Sequence, residues 1–176
     1  MTINLFGVGG LTVMTRIAGI FLLLLMAGCA TQAPAPVSKP DVNATVREPA
    51  SEDSEGVQVY SLQNPAVKQL VAQAKTAEST GDLDRASGLI ERALRIQPQD
   101  PQLLQQMAEI KLQEADYQQA LNFATRSYEN GSRVGEICSR NWRTISVAKD
   151  NLRDMSGSVN AAARAKQCMN TRPERL

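Results

Sequence analysis

Histidine is absent from all 176 residues, which removes the commonest general base and the commonest zinc ligand together. No glycine-rich phosphate loop, GxSxG elbow or cysteine–histidine pair occurs, and no two carboxylates stand in a setting that suggests acid–base work. The aspartates and glutamates fall on amphipathic stretches, where solvation explains them. An enzyme is therefore not expected. Long apolar runs are also missing: the longest, residues 17–26, has half the roughly 20 residues that a membrane-spanning helix needs. Aromatic residues make up 4% and charged residues 21%, with a formal net charge of +1, a composition that allows one modest domain plus tails.

What the chain does have is a pattern written twice. Leu70, Ala74, Asp82, Leu83, Ala86, Ile90 and Ala93 return 34 positions later as Leu104, Ala108, Asp116, Tyr117, Ala120, Ala124 and Ser127. A fixed period between 20 and 50 residues marks a stacked repeat. Within each copy the apolar and small residues keep helical spacing, which predicts two short helices per unit. Ala74, Ala86 and Ala93 let antiparallel helices approach, while Leu70, Leu89, Ile90 and Leu94 fill the space around them. Gly81-Asp82 predicts the turn within the first copy, and Asp100-Pro101 and Asn64-Pro65 each offer a cap followed by a first-turn proline.

The series Ala86, Ile90, Ala93 and Pro98 resembles the second helix of the tetratricopeptide repeat (TPR), a helix-turn-helix unit of 34 residues. The second copy keeps Tyr117 and Ala120 but has Ser132 in the place of the proline. After the helix stop Asn130-Gly131, a third helical pair is expected from about Glu136 to Met169. Trp142, Ile145, Ala148 and Leu152 mark its first helix, and Val159, Ala162, Ala165 and Met169 its second. Aligning Trp142 with Leu70 and Leu104 needs about four extra residues, whereas aligning Gly157 with Gly81 breaks that match, so the register is open. The fold class expected is all-α: a short TPR-like array of about three antiparallel hairpins, a right-handed α-solenoid, whose third unit caps the stack.

The N-terminal 28 residues read as a signal peptide, with an apolar h-region after Arg16; Met1 and Met14 both remain open as the start. The ending Leu25-Met26-Ala27-Gly28-Cys29 resembles a bacterial lipobox. That resemblance implies N-acyl diacylglycerol on Cys29, with enough acyl chain for stable anchoring; with histidine absent, no other cofactor and no metal are expected. Ala30 after the cysteine implies sorting to the outer membrane of a Gram-negative cell, facing the periplasm. Residues 29–64 read as a Pro-rich disordered tether carrying Pro34, Pro36, Pro40 and Pro49 and the acidic cluster Glu48, Glu52, Asp53 and Glu55. Fully extended it would reach roughly 115–125 Å, although a flexible chain of that length typically spans about 30–35 Å. The alternating run 57–62 is expected to lie along the first helices or to be disordered. Residues 65–172 form the helical domain, and 173–176 a tail.

With Cys29 assigned to lipid, Cys138 and Cys168 lie at the adjoining ends of the third hairpin. A disulfide between them is geometrically reasonable and favoured in an oxidising compartment; reactive or metal-binding thiols are the alternative. Residues 133–176 carry nine basic and four acidic side chains. Arg133, Arg140, Arg143, Arg153, Arg164 and Lys166 form a basic end suited to an acidic partner, or to the chain's own acidic tether.

Likeness to TPR proteins implies a concave face that binds a protein partner. On this chain it comprises Lys68, Val71, Lys75, Gln102, Gln105, Glu109, Leu112, Arg140 and Arg143. Val71 and Glu109 depart from the lysine, asparagine and arginine set by which one TPR subgroup clamps a C-terminal carboxylate. The whole layout is similar to outer-membrane lipoproteins that activate bifunctional peptidoglycan synthases, in particular the pseudomonad LpoP type. The partner implied is a penicillin-binding protein, with neither nucleic acid nor a small-molecule substrate. A pilotin-like assembly factor for a secretin, or an adaptor for a periplasmic protease or hydrolase, is the alternative.

Overall fold

Six helices follow one another as three antiparallel hairpins: α1 (Pro65–Ser79) with α2 (Leu83–Ile96), α3 (Pro101–Gln113) with α4 (Tyr117–Asn130), and α5 (Glu136–Asn151) with α6 (Met155–Met169). A computed structural model describes residues 41–47 and 64–169, and both stretches belong to one compact unit. The signal peptide, Cys29, the run 57–62 and the tail lie outside the described residues. Among those described there is no strand, and no helix is long and apolar enough to cross a membrane. The expected all-α hairpin array is thus the observed one.

The same local chemistry stops and restarts the chain in each hairpin. Asn64 and Asp100 cap α1 and α3 through their side chains, each followed by a proline at the first helical position. At the intra-hairpin turns one residue with positive φ recurs as Gly81, Ala115 and Arg153, followed each time by an aspartate. Asp82, Asp116 and Asp154 accept from the backbone N–H of Arg85, Gln119 and Gly157. Their own N–H groups donate at 2.9 Å to the carbonyls of Ala77, Lys111 and Lys149, closing the preceding helix by a left-handed turn. These turns lie 34 and then 38 positions apart, so Trp142 does stand in register with Leu70 and Leu104. The extra residues lengthen the loop before α5 and the first turn of α5 itself.

The repeated small residues are where the helices touch. Val67, Leu70, Ala74, Ala77, Ala86, Leu89, Ile90 and Ala93 of the first hairpin form one core with Leu103, Met107 and Ile110 of α3. Ala108, Ala124, Ile145 and Ala161 join the second hairpin to the third. The extra turn of α5 carries Cys138, which is bonded to Cys168 of α6 with Cα atoms 5.7 Å apart. The N–H of Gly135 donates to the Cys168 carbonyl beside it at 2.8 Å.

The expected inner face of α6 needs correction. Ala161, Ala165 and Cys168 point inward, whereas Val159 is 69% exposed and Ala162 is exposed. The disulfide and the contact of Ala161 with Ile145 set the rotation of this helix, and among the described residues no further helix covers its outer side. Leu152 is likewise exposed, because α5 ends at Asn151 and Leu152 is its cap.

One feature lies within the stretch expected to be a disordered tether, and at residues 41–47 that expectation is corrected. Asn43–Arg47 forms a single wide helical turn, bounded in sequence by Pro40 and Pro49. Asp41 starts it, accepting from the N–H of Asn43 and of Ala44 at 2.9 and 3.2 Å. Val42 and Val46, four residues apart and so on one face, are buried with Leu112, Ala120 and Ala148. Burying a valine contributes about 1.5 kcal/mol or more, enough to set this turn apart from the polar residues around it.

Candidate partner-binding cleft

The first helices of the three hairpins line one side of the array. The backbone of α3 approaches that of α5 more closely than that of α1, although α1 and α3 share one core and the Gln113–Glu78 hydrogen bond. A cleft of about 880 Å³ runs between them. Of the residues expected on the concave face, Lys68, Val71, Lys75, Gln102, Glu109 and Arg140 line this cleft, together with Glu78, Gln106 and Gln113. Gln105 and Leu112 are not available from the cleft; both are fully buried. Arg143 is turned toward the 41–47 segment, its Nε donating to the Val46 carbonyl at 2.8 Å.

Glu109 is the centre of the arrangement. Its side chain is 0% exposed, a position where a lone carboxylate would be strongly destabilising. Four donors compensate. Arg47 Nε reaches Oε2 at 2.6 Å, Arg140 Nε and Nη2 both reach Oε1, and Gln105 Nε2 donates to Oε1 at 2.9 Å. Gln105 is held in turn by Thr144 Oγ1 of α5 at 2.7 Å. Burial opposes the charge, but Arg140 and Arg47 outweigh it and hold the Glu109 carboxyl below its ordinary value. The same pairing acts on Arg47, where burial is outweighed by Glu109 and Glu78 and the guanidinium is pushed up. Arg47 Nη2 donates to Glu78 Oε1 at 2.6 Å, so one guanidinium bridges α1 and α3. Gln113 Nε2 shares that oxygen at 2.6 Å.

At the edge of this network Glu136 pairs with Arg143 at 3.1 Å and Arg140 at 3.8 Å. Here burial wins: the Glu136 carboxyl is pushed up despite both arginines, and burial likewise lowers Arg143 despite Glu136. The basic end is thus largely occupied by internal contacts. Arg140 and Arg143 turn inward, while Arg133 lies 4.1 Å from the Tyr128 ring centroid and Arg164 4.6 Å from that of Trp142. Trp142 itself meets Tyr128 edge-on at 4.9 Å.

Arg47, Val42, Val46 and Glu78 were not anticipated as part of the site. The signal for the first three is local: an aspartate cap followed by valines at positions i and i+4, in a tract otherwise without large apolar residues. Glu78 has no such signal. Among the described residues, no group of three His, Cys, Asp or Glu side chains is placed to hold a metal ion.

Residues 67–110 match the tetratricopeptide repeat family, spanning α1, α2 and most of α3. No curated protein matches the sequence. Among solved structures, the globular C-terminal domain of LpoP from P. aeruginosa is similar to this chain. The two share 29% sequence identity with a TM-score of 0.56, over 58% of this chain and 97% of that one.

Proposed function

We propose that this chain is an outer-membrane lipoprotein, anchored through Cys29 and facing the periplasm, whose helical domain binds and activates a bifunctional peptidoglycan synthase. The observation that carries this reading is the likeness to the LpoP C-terminal domain, which extends over 97% of that structure at 29% identity. The signal-peptide pattern, the lipobox ending in Cys29 and the Pro-rich stretch that follows agree with it. The domain offers an open cleft as an interaction surface. In this reading the cleft between α1, α3 and α5 receives a segment of the synthase, and Lys68, Lys75, Gln102 and Gln106 supply its polar lining.

Crosslinking in vivo followed by affinity purification from membranes tests the proposal. Recovery of a penicillin-binding protein, lost when Lys68 and Lys75 are replaced by glutamate, is the expected result. Recovery of a secretin with no penicillin-binding protein would overturn it in favour of a pilotin-like role. Labelling with a radioactive fatty acid tests the anchor separately: incorporation should disappear in Cys29→Ser.

A further inference from the structure

The 41–47 segment packs on the domain as a ligand would, with Asn43 and Arg47 forming part of the cleft wall. Two valines are buried, one backbone carbonyl is read by Arg143, and a terminal arginine is gripped by two carboxylates from different helices. We propose that the Glu109–Glu78 pocket is an arginine-reading peptide site held in cis by residues 41–47. The domain's partner then enters by displacing that segment with a short helical peptide of the same pattern: two β-branched apolar residues four apart, followed at once by arginine. This deepens the reading of the cleft as the partner site and rests on it for the identity of the partner alone.

The chemistry supports arginine over any other residue. Nε and Nη2 of a planar guanidinium reach Glu109 and Glu78 simultaneously at 2.6 Å each. A lysine ammonium is a point charge on a flexible stem and cannot hold two carboxylates in that fixed fork. Without an occupant, Glu109 would keep Arg140 as its nearest cation and Glu78 would keep only the neutral Gln113 among its recorded partners. The valines supply the second selection. They enter a shallow apolar surface made by Leu112, Ala120 and Ala148, where alanines leave room for a branched side chain and little more.

The segment is also built to be exchanged. It is one helical turn bounded by prolines, and a 16-residue stretch separates Arg47 from the cap of α1. A connection of that length gives an effective concentration on the order of millimolar. Such a contact excludes weak ligands and yields to a partner that binds more tightly than its cis competitor.

The test uses the full mature chain and a fluorescent peptide, DVNATVR, whose binding is followed by anisotropy. A release variant, Val46→Ser with Arg47→Ala, should bind the peptide at least about ten-fold more tightly than the native chain. A peptide with alanine or lysine in place of its arginine should bind the release variant at least about ten-fold more weakly than DVNATVR. Equal affinity of the native chain and the release variant, no binding to either at millimolar peptide, or indifference to the arginine would each overturn the proposal. A second readout needs no added ligand. In the native chain Arg47→Ala should shift the backbone amide resonances of Glu78, Glu109 and Arg140, whereas shifts confined to residues next to position 47 would show that the segment is not docked. Neither measurement contains a synthase. Peptide exchange with a failed crosslink would remove the synthase and keep this site, and the reverse outcome would do the opposite.

Discussion

Replacing Glu109 by glutamine removes the charge on which α1, α3, α5 and the 41–47 turn converge. The glutamine fits the same volume, but its amide nitrogen cannot accept from a guanidinium, so one of the two arginines loses its bond to residue 109 and the other keeps a neutral one, while Arg47 retains Glu78 and Arg140 retains Glu136. Breaking a buried ion pair from one side costs roughly 3–5 kcal/mol. Arg47 and Arg140 are 30% and 26% exposed at their side chains and can rehydrate in part, which places the expected loss at the lower end, about 3 kcal/mol. For a helical domain of this size that corresponds to a fall of roughly 12–20 °C in melting temperature. Urea denaturation at pH 7, followed by circular dichroism at 222 nm, measures the loss directly.

The pH dependence gives the same argument a sign. Glu109 has its folded-state pKa depressed, so its contribution is present above the unfolded value of about 4.3 and disappears as pH falls through the lower folded value. The difference between native and Glu109→Gln proteins should be flat from pH 8 to about 5 and shrink below that. Glu136 works in the opposite direction. Its pKa is raised, so its contribution is present below the unfolded value and is lost as pH rises through the folded one. The native profile therefore mixes the two groups, and because the Glu109 charge contributes to the raised Glu136 pKa, the difference between proteins reports Glu109 together with its effect on Glu136. A loss under about 1 kcal/mol at pH 7, or a difference that grows on acidification, would refute the assignment of Glu109 as a compensated buried charge.

The remaining tests address backbone and covalent features. Ala115 and Arg153 hold φ of 62° and 67° at turns where the first hairpin has glycine; Ala115→Gly and Arg153→Gly should each raise stability by about 0.5–1 kcal/mol in urea titrations, since relief of left-handed strain exceeds the entropy lost by glycine. Glycines elsewhere are not equivalent. A Cβ on Gly131 would stand 2.9 Å from the Ser127 carbonyl oxygen and 3.1 Å from Pro101 Cβ, whereas one on Gly88 meets nothing within 4 Å. Gly131→Ala should therefore lower the urea midpoint, and Gly88→Ala should raise stability by about 0.5–1 kcal/mol through helix propensity. Reduction of Cys138–Cys168, 30 residues apart, should remove about 3–4 kcal/mol by loop closure. Thiol labelling of the unfolded, unreduced mature protein should leave both cysteines unmodified, and labelling of both would rule the bond out.

Much of the helical array was legible in the sequence because its determinants are local and periodic. A cap and its helix, or an alanine and the leucine four positions on, lie within one turn of each other. The same holds for the disulfide, whose two cysteines sit at the adjoining ends of one hairpin. The inner face of α6 was not legible. Val159 and Ala162 keep helical spacing as well as Ala161 and Ala165 do, and the choice between them depends on Ile145 and Cys138 in a different helix. The cleft was half legible: six of the nine residues expected on the concave face line it. Gln105 and Leu112 lie beneath the surface instead of on it, because α3, sandwiched between the other hairpins, is buried on more than one face.

By itself the sequence determined the period, the turns, the caps and the pairing of the hairpins, all of them interactions among near neighbours in the chain. Only the tertiary structure decided what lines the cleft. Arg47 meets Glu78 across 31 residues and Glu109 across 62, and in the sequence all three are ordinary charges. Their meaning comes from burial, which turns a solvated carboxylate into one that must be paired, and burial is a property of the assembled array.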